Sequence, residues 1–192
     1  LAELSVRLNP NDDRLWAILA ESQIRNNDYN SARYSLNKAK IINPKRASLW
    51  FIEGGLELQE RNHQKAINLI NQGLKLEPKN AGAYFQLGNA RIMQSKLRLA
   101  FEAFKKASSI KPSFWEALNN KALVMYEMDK IQSAIKTWRN VLTIEENAEP
   151  MLALAAALYK NEGTVQEALF LAKEALAKNP NYVPSTHQEE QL

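Results

Sequence analysis

The side chains able to do acid–base or metal chemistry are few, and their spacing suits neither. The chain has two histidines (His63 and His187), no cysteine, and three adjacent carboxylate pairs, Asp12-Asp13, Glu145-Glu146 and Glu189-Glu190. A carboxylate pair cleaves glycosidic bonds when both groups face one cleft in different surroundings, one protonated and one ionised. These pairs instead fall at junctions between elements or in the polar tail, where solvated acids near helix N-termini are ordinary. A transition-metal site needs clustered His, Cys or carboxylate ligands, and no such spacing exists. Gly54-Gly55 reads as the inside of a helix, not a phosphate-cradling loop. The absence of cysteine excludes disulfides and thiolate chemistry and leaves the compartment open. The expectation is a chain with no catalysis of its own, no cofactor and no metal.

The elements that would have to position such groups follow a strict clock. Alanine recurs at Ala32, Ala66, Ala100, Ala134 and Ala168, every 34 residues. Proline keeps time with it at Pro10, Pro44, Pro78, Pro112 and Pro180, with Glu146 where one more is due. A period of this length marks a helix–turn–helix solenoid. Units then run 13–46, 47–80, 81–114, 115–148 and 149–182. Residues 1–12 read as the tail of a preceding second helix, with Leu1, Leu4 and Leu8 on one face. Residues 183–192 read as the start of a capping helix or a polar tail.

Within a unit, large and small residues alternate at fixed slots. The fourth slot holds Trp16, Trp50, Tyr84, Leu118 and Leu152; the eighth holds Ala20, Gly54, Gly88, Ala122 and Ala156. The twenty-fourth is Leu36, Ile70, Phe104, Trp138 and Ala172, and the twenty-seventh is Ala39, Gly73, Ala107, Val141 and Ala175. Small residues at slots eight and twenty let paired helices approach, and the large ones fill the space beside them. His63 shares the seventeenth slot with Tyr29, Leu97, Ile131 and Val165, which makes it a packing residue. Turns are expected at Asn26-Asn27-Asp28, Arg61-Asn62 and Glu162-Gly163-Thr164. Each clock proline is expected to stop a second helix. Asn11, Ser113, Asn147 and Asn181 are the expected N-caps, Ser113 forming a capping box with Glu116.

This pattern resembles the tetratricopeptide repeat (TPR) family, continuously over residues 13–182. The third unit carries it most fully, with Tyr84, Leu87, Gly88, Ala100, Phe104, Ala107 and Pro112. Glu53 and Lys121 in the leucine slot, and Glu146 in the proline slot, depart from the motif without shifting its register. The resemblance implies an all-α right-handed superhelix of about five helix–turn–helix repeats. It also implies a concave face built by first helices at slots two, five, nine, twelve and thirteen. The carboxylate clamp known in the family is not matched. Asn89 and Asn120 stand where its asparagines would, but Phe85 replaces its first lysine, and Pro150 and Leu154 its last two basic residues.

Charge is uneven along the chain. Residues 1–112 carry 18 Lys/Arg and 10 Asp/Glu, and residues 113–192 carry 7 and 11, giving +8 and −4. The basic runs at 33–46 and 96–111 fall on second helices and junctions, and the inner face of units two and three is almost uncharged. That argues against a nucleic-acid groove, which lines its floor with Lys/Arg. No apolar run approaches the roughly 18 residues of a membrane helix, so no direct insertion is expected. A cytoplasmic compartment is expected, and the richness in Asn, Lys and Ile points to an AT-rich bacterial genome. A chain that starts on Leu1 inside one element and stops inside another reads as an excerpt of a longer protein.

The candidate groove comprises Phe51, Leu58, Phe85, Asn89, Ile92, Met93, Asn119, Asn120 and Tyr126. Phe51, Phe85 and Tyr126 are expected as apolar anchors, Asn89 and Asn120 as backbone partners and Met93 as an adaptable wall. The expected partner is another protein, bound as an extended segment or an amphipathic helix. Two other readings stay open: a substrate-recruiting arm of a larger enzyme, such as a TPR-bearing glycosyltransferase or kinase, and a self-assembling adaptor whose basic front half meets the acidic back half of a second copy as a homodimer.

Overall fold

The computed structural model describes residues 1–161 and 164–182. Among these the chain is all-α, in the order α1 (Ala2–Leu8), α2 (Asp13–Arg25), α3 (Tyr29–Ile42), α4 (Ala47–Gln59), α5 (His63–Leu76), α6 (Ala81–Met93), α7 (Leu97–Ile110), α8 (Trp115–Glu127), α9 (Ile131–Ile144), α10 (Ala148–Asn161) and α11 (Val165–Lys178), then a 3-10 turn at Pro180–Tyr182. The expected turn residues Glu162-Gly163, the tail 183–192 and with it His187 and Glu189-Glu190 lie outside the described residues. The chain forms two compact units, Leu1–Lys96 and Leu97–Leu192, and the division falls inside the span expected for the third repeat.

The alanine clock is a packing clock. Ala32, Ala66, Ala100 and Ala134 have no exposed surface, and Ala168 almost none. Ala32, Ala66, Ala134 and Ala168 each sit on a second helix against its first helix, where any larger side chain would force the two apart. The glycines do the same more tightly. A Cβ on Gly54 would stand 2.7 Å from Ile70 Cγ1, and one on Gly73 2.3 Å from the Phe51 ring. In the first unit Ala20, Ala32, Leu36, Ala39, Leu49 and Leu56 form one core and Ala47, Phe51, Ile70, Leu74 and Ala83 a second. In the second unit Ala122, Ala134, Trp138, Leu154 and Leu158 belong to one core.

The inter-helix turns share one geometry. Asn27, Arg61, Ser95 and Asp129 adopt φ between 56° and 61°, 34 residues apart. In each, the N–H after that residue bonds the carbonyl five residues back: Asp28 to Gln23 at 2.9 Å, Asn62 to Glu57 at 2.8 Å, Lys96 to Arg91 at 2.9 Å and Lys130 to Met125 at 2.9 Å. This is the Schellman arrangement, which caps the last carbonyls of a first helix with a left-handed residue.

The caps differ from the sequence reading by one residue. Asp12, not Asn11, caps α2 by accepting from Arg14 N, and Asn80 caps α6 by accepting from Ala83 N at 2.8 Å. The expected capping box does not form: Phe114 is the N-cap of α8, and its side chain makes no capping hydrogen bond. Asn147 does cap α10, accepting from Glu149 N at 3.1 Å. In α1 the expected apolar face is exposed at Leu1, Leu4 and Leu8, and Val6 is the buried residue.

Glu146 changes more than a local turn. Second helices end two residues before each clock position, and α9 does so at Ile144 although Glu146 retains the N–H that proline lacks. The next helix then starts one residue early, at Ala148. Helix α10 is buried at Ala148, Pro150, Met151, Leu154, Ala155, Ala157 and Leu158, and all of these but Met151 and Leu154 stand one position before buried counterparts in α4, namely Ala47, Leu49, Gly54, Leu56 and Glu57. The small residue of the eighth slot is therefore Ala155, and Ala156 is exposed. One residue is about 100° of helix, so an early start moves the buried stripe by one place. Helix α11 returns to phase at Ala168 because α10 is one residue longer than its counterparts.

Candidate functional site

Within Leu1–Lys96, the first helices α2, α4 and α6 present their second and fifth slots, and α2 and α6 their ninth, to one cleft of about 650 Å³. Its walls include Ala17 and Glu21 of α2, Phe51 of α4 and Phe85 and Asn89 of α6. Gly82 and Ser48 keep the first turns of α6 and α4 thin where they border it. A second cleft, also about 650 Å³, is lined by Leu58, Gln59, Arg61, His63, Asn89 and Met93. Asn89 borders both.

The expected groove residues divide accordingly. Phe85 and Asn89 are half-buried wall residues, and both already make interactions within the chain. Phe51 is only 8% exposed: its ring lies over Gly73, so it forms cleft floor rather than a projecting anchor. Leu58 is half-buried and packs beside that core, whereas Met93 is 64% exposed. Ile92 is half-buried and borders neither cleft.

In the second unit the outcome differs. Asn119 is fully buried, accepting from Trp138 Nε1 and donating to Glu149 Oε1, both at 2.9 Å. That removes it from the groove, because the indole N–H inside a core must have an acceptor. Tyr126 packs its ring 6.0 Å from Trp138 and borders a cleft of about 340 Å³ with Glu127, Asp129, Ile131 and Lys160. Asn120 is half-buried.

The electrostatics of the two larger clefts are unlike. At the first, Arg14 pairs with Asp12 at 2.6 Å and Arg46 pairs with Asp13. The Asp12 carboxyl, held by hydrogen bonds from the Arg14 side chain and backbone, is lowered to about 2 and stays charged at neutral pH. Both arginines are thus answered within the chain. At the second cleft Arg61 pairs with no described carboxylate. Its acidic neighbours are committed elsewhere. Glu57, fully buried, bonds Arg33 at 2.8 Å, Lys65 at 2.9 Å and Asn62 at 2.9 Å, and Glu60 also pairs with Arg33. Burial pushes the Glu57 carboxyl up, but the bonds from Lys65, Arg33 and Asn62 outweigh it and hold it below the usual carboxylate range.

Sequence reasoning missed Arg61 and Glu57. Arg61 was legible as the residue standing where Asn27 and Asp129 make turns. Glu57 had no such signal, since its partners come from α3, α5 and a turn. Among the described residues no three His, Asp or Glu side chains group as a metal site would require. With the α10 shift, Glu149 and Ala153 replace Pro150 and Leu154 at the clamp positions, and neither is basic.

Residues 53–113 match the family model of the tetratricopeptide repeat. The family match and the solved structures together support a tetratricopeptide repeat (TPR) assignment. The TPR likeness extends to solved structures over nearly the whole length. YrrB, described as a TPR protein with an unusual peptide-binding site, is 15% identical over 98% of this chain and 97% of its own, with a TM-score of 0.73. MamA is 21% identical over 85% of this chain and 95% of its own, with a TM-score of 0.74. PilF of Pseudomonas aeruginosa is 17% identical over 99% and 86%, with a TM-score of 0.80. No curated protein sequence matches the chain. The TPR fold is that of protein–protein interaction scaffolds, which are generally non-catalytic. No described helix is long and apolar enough to cross a membrane.

Proposed function

We propose that this TPR protein captures a segment of another protein along α2, α4 and α6, without chemistry of its own. The observation that carries this is the pair of adjoining clefts, floored by Phe51 and Leu58, walled by Phe85 and Met93, and joined at Asn89. Apolar walls interrupted by an amide suit a segment that buries side chains while its backbone is held by hydrogen bonds. The description of YrrB as peptide-binding supports the same use of the fold. Asn120 and Tyr126 stay with the proposal as a separate contact on the second unit.

The test is a pull-down with the wild type and with Phe85→Ala/Asn89→Ala, read by mass spectrometry and followed by titration of the captured protein. The double variant should lose capture while its far-ultraviolet circular dichroism stays that of the wild type. Undiminished binding by the double variant sinks the assignment.

A further inference from the structure

The second cleft holds a cation at a position that strains its backbone and leaves its charge unanswered. Arg61 sits at φ 61°, in the left-handed region. The equivalent turns use Asn27, Ser95 and Asp129, short polar side chains that tolerate or compensate this conformation better than a long one. Strain kept at a cleft wall is a pointer to function, provided something independent agrees. Three features do. Glu57 and Glu60, the acids nearest in sequence, are bound by Arg33 and Lys65, so Arg61 is the one formal charge on the cleft and has no described carboxylate. His63, on the same wall, has its Nδ1 buried without a partner. Finally, residues 1–96 carry 14 Lys/Arg against 9 Asp/Glu, a net of +5 that favours an acidic visitor.

We infer that this cleft takes an aspartate or glutamate side chain of the bound segment, its carboxylate on the Arg61 guanidinium and an adjacent apolar side chain on Leu58 and Met93. The inference rests on the peptide-capture reading above and adds the chemistry of the ligand. The first cleft, whose arginines are already paired, takes the uncharged part of the segment.

Arg61→Gly is the informative variant, because glycine relieves the left-handed strain while removing the charge. A displayed library of random peptides is selected on the wild type, on Arg61→Gly and on Phe85→Ala/Asn89→Ala. The wild type should enrich Asp or Glu beside an apolar residue, and Arg61→Gly should lose that enrichment while melting no lower than the wild type. For a selected peptide, replacing its acid by the amide should weaken wild-type binding about fivefold to tenfold and leave Arg61→Gly unchanged. Equal affinity of acid and amide peptides for the wild type overturns the inference. If selected peptides need Phe85 and Asn89 but are neutral, peptide capture stands and the acidic preference falls. If the wild type selects nothing, both fall.

Discussion

Phe51 and Asn119 occupy the same slot of the repeat, the fifth of a first helix, in the two compact units, and they do opposite things. In the first unit the second helix behind the slot carries Ile70 and Gly73, and the space over Gly73 admits the Phe51 ring. The ring settles as a floor and a cleft remains above it. In the second unit the corresponding residues are Trp138 and Val141. The indole fills that space and needs an acceptor, which draws Asn119 inward. The lesson is that an inner-face slot does not by itself present a side chain to a partner. The residue behind it on the second helix decides.

That contrast can be broken at several points. The largest effect is expected at the buried charge hub of the first unit. Glu57→Ala would remove the acceptor shared by Arg33, Lys65 and Asn62 and leave a void in the core; with Arg33 still paired to Glu60 it should cost about 2–4 kcal/mol in urea unfolding. Because the folded-state pKa of Glu57 lies below its ordinary value, the stabilisation it gives is present above that ordinary value. It is lost as pH falls through the folded one. The wild type should therefore lose more stability on acidification than Glu57→Met does, measured as the denaturation midpoint across that range; parallel curves would remove the hub from the account.

Next comes the polar link of the second unit. Asn119→Ala strands the Trp138 N–H and should cost about 1–3 kcal/mol, with a change in tryptophan fluorescence. Peptide capture by the first unit should be untouched; lost capture would contradict the assignment of Asn119 to the core. The smallest effect is expected at Gly73→Ala, about 1–2 kcal/mol, since the added methyl must displace the Phe51 ring against a gain in helix propensity. A Gly73→Ala protein as stable as the wild type would mean that the ring moves freely, and Phe51 would return to the list of projecting anchors.

Much of the fold was legible because a repeat writes the same constraint several times. The alanine clock named the helix-pairing contacts, and Gly54 and Gly73 marked where helices come closest. The family resemblance put Phe85, Asn89 and Leu58 on one face, and in the structure these residues line the two clefts of the first unit. The failures are just as specific. Glu146 looked like a substitution that kept the register, yet α10 starts early and exchanges Ala155 for Ala156. The capping box of Ser113 and Glu116 was plausible from spacing and lost to a helix that begins at Trp115. Caps and starts are decided by one or two hydrogen bonds, which spacing rules resolve no better than a residue or so.

By itself, then, the sequence determined the helix pairs, their period and which faces pack, because burial of a recurring small residue against a recurring large one is a local constraint repeated along the chain. Only the tertiary structure decided which inner-face residues remain available. That Phe51 becomes floor, that Asn119 serves Trp138, and that Arg61 is left uncommitted while Arg33 gathers both neighbouring acids all depend on side chains brought together from different helices. Hydrogen bonding and charge pairing act over a few ångströms in space, and the distance between residues along the chain does not encode them.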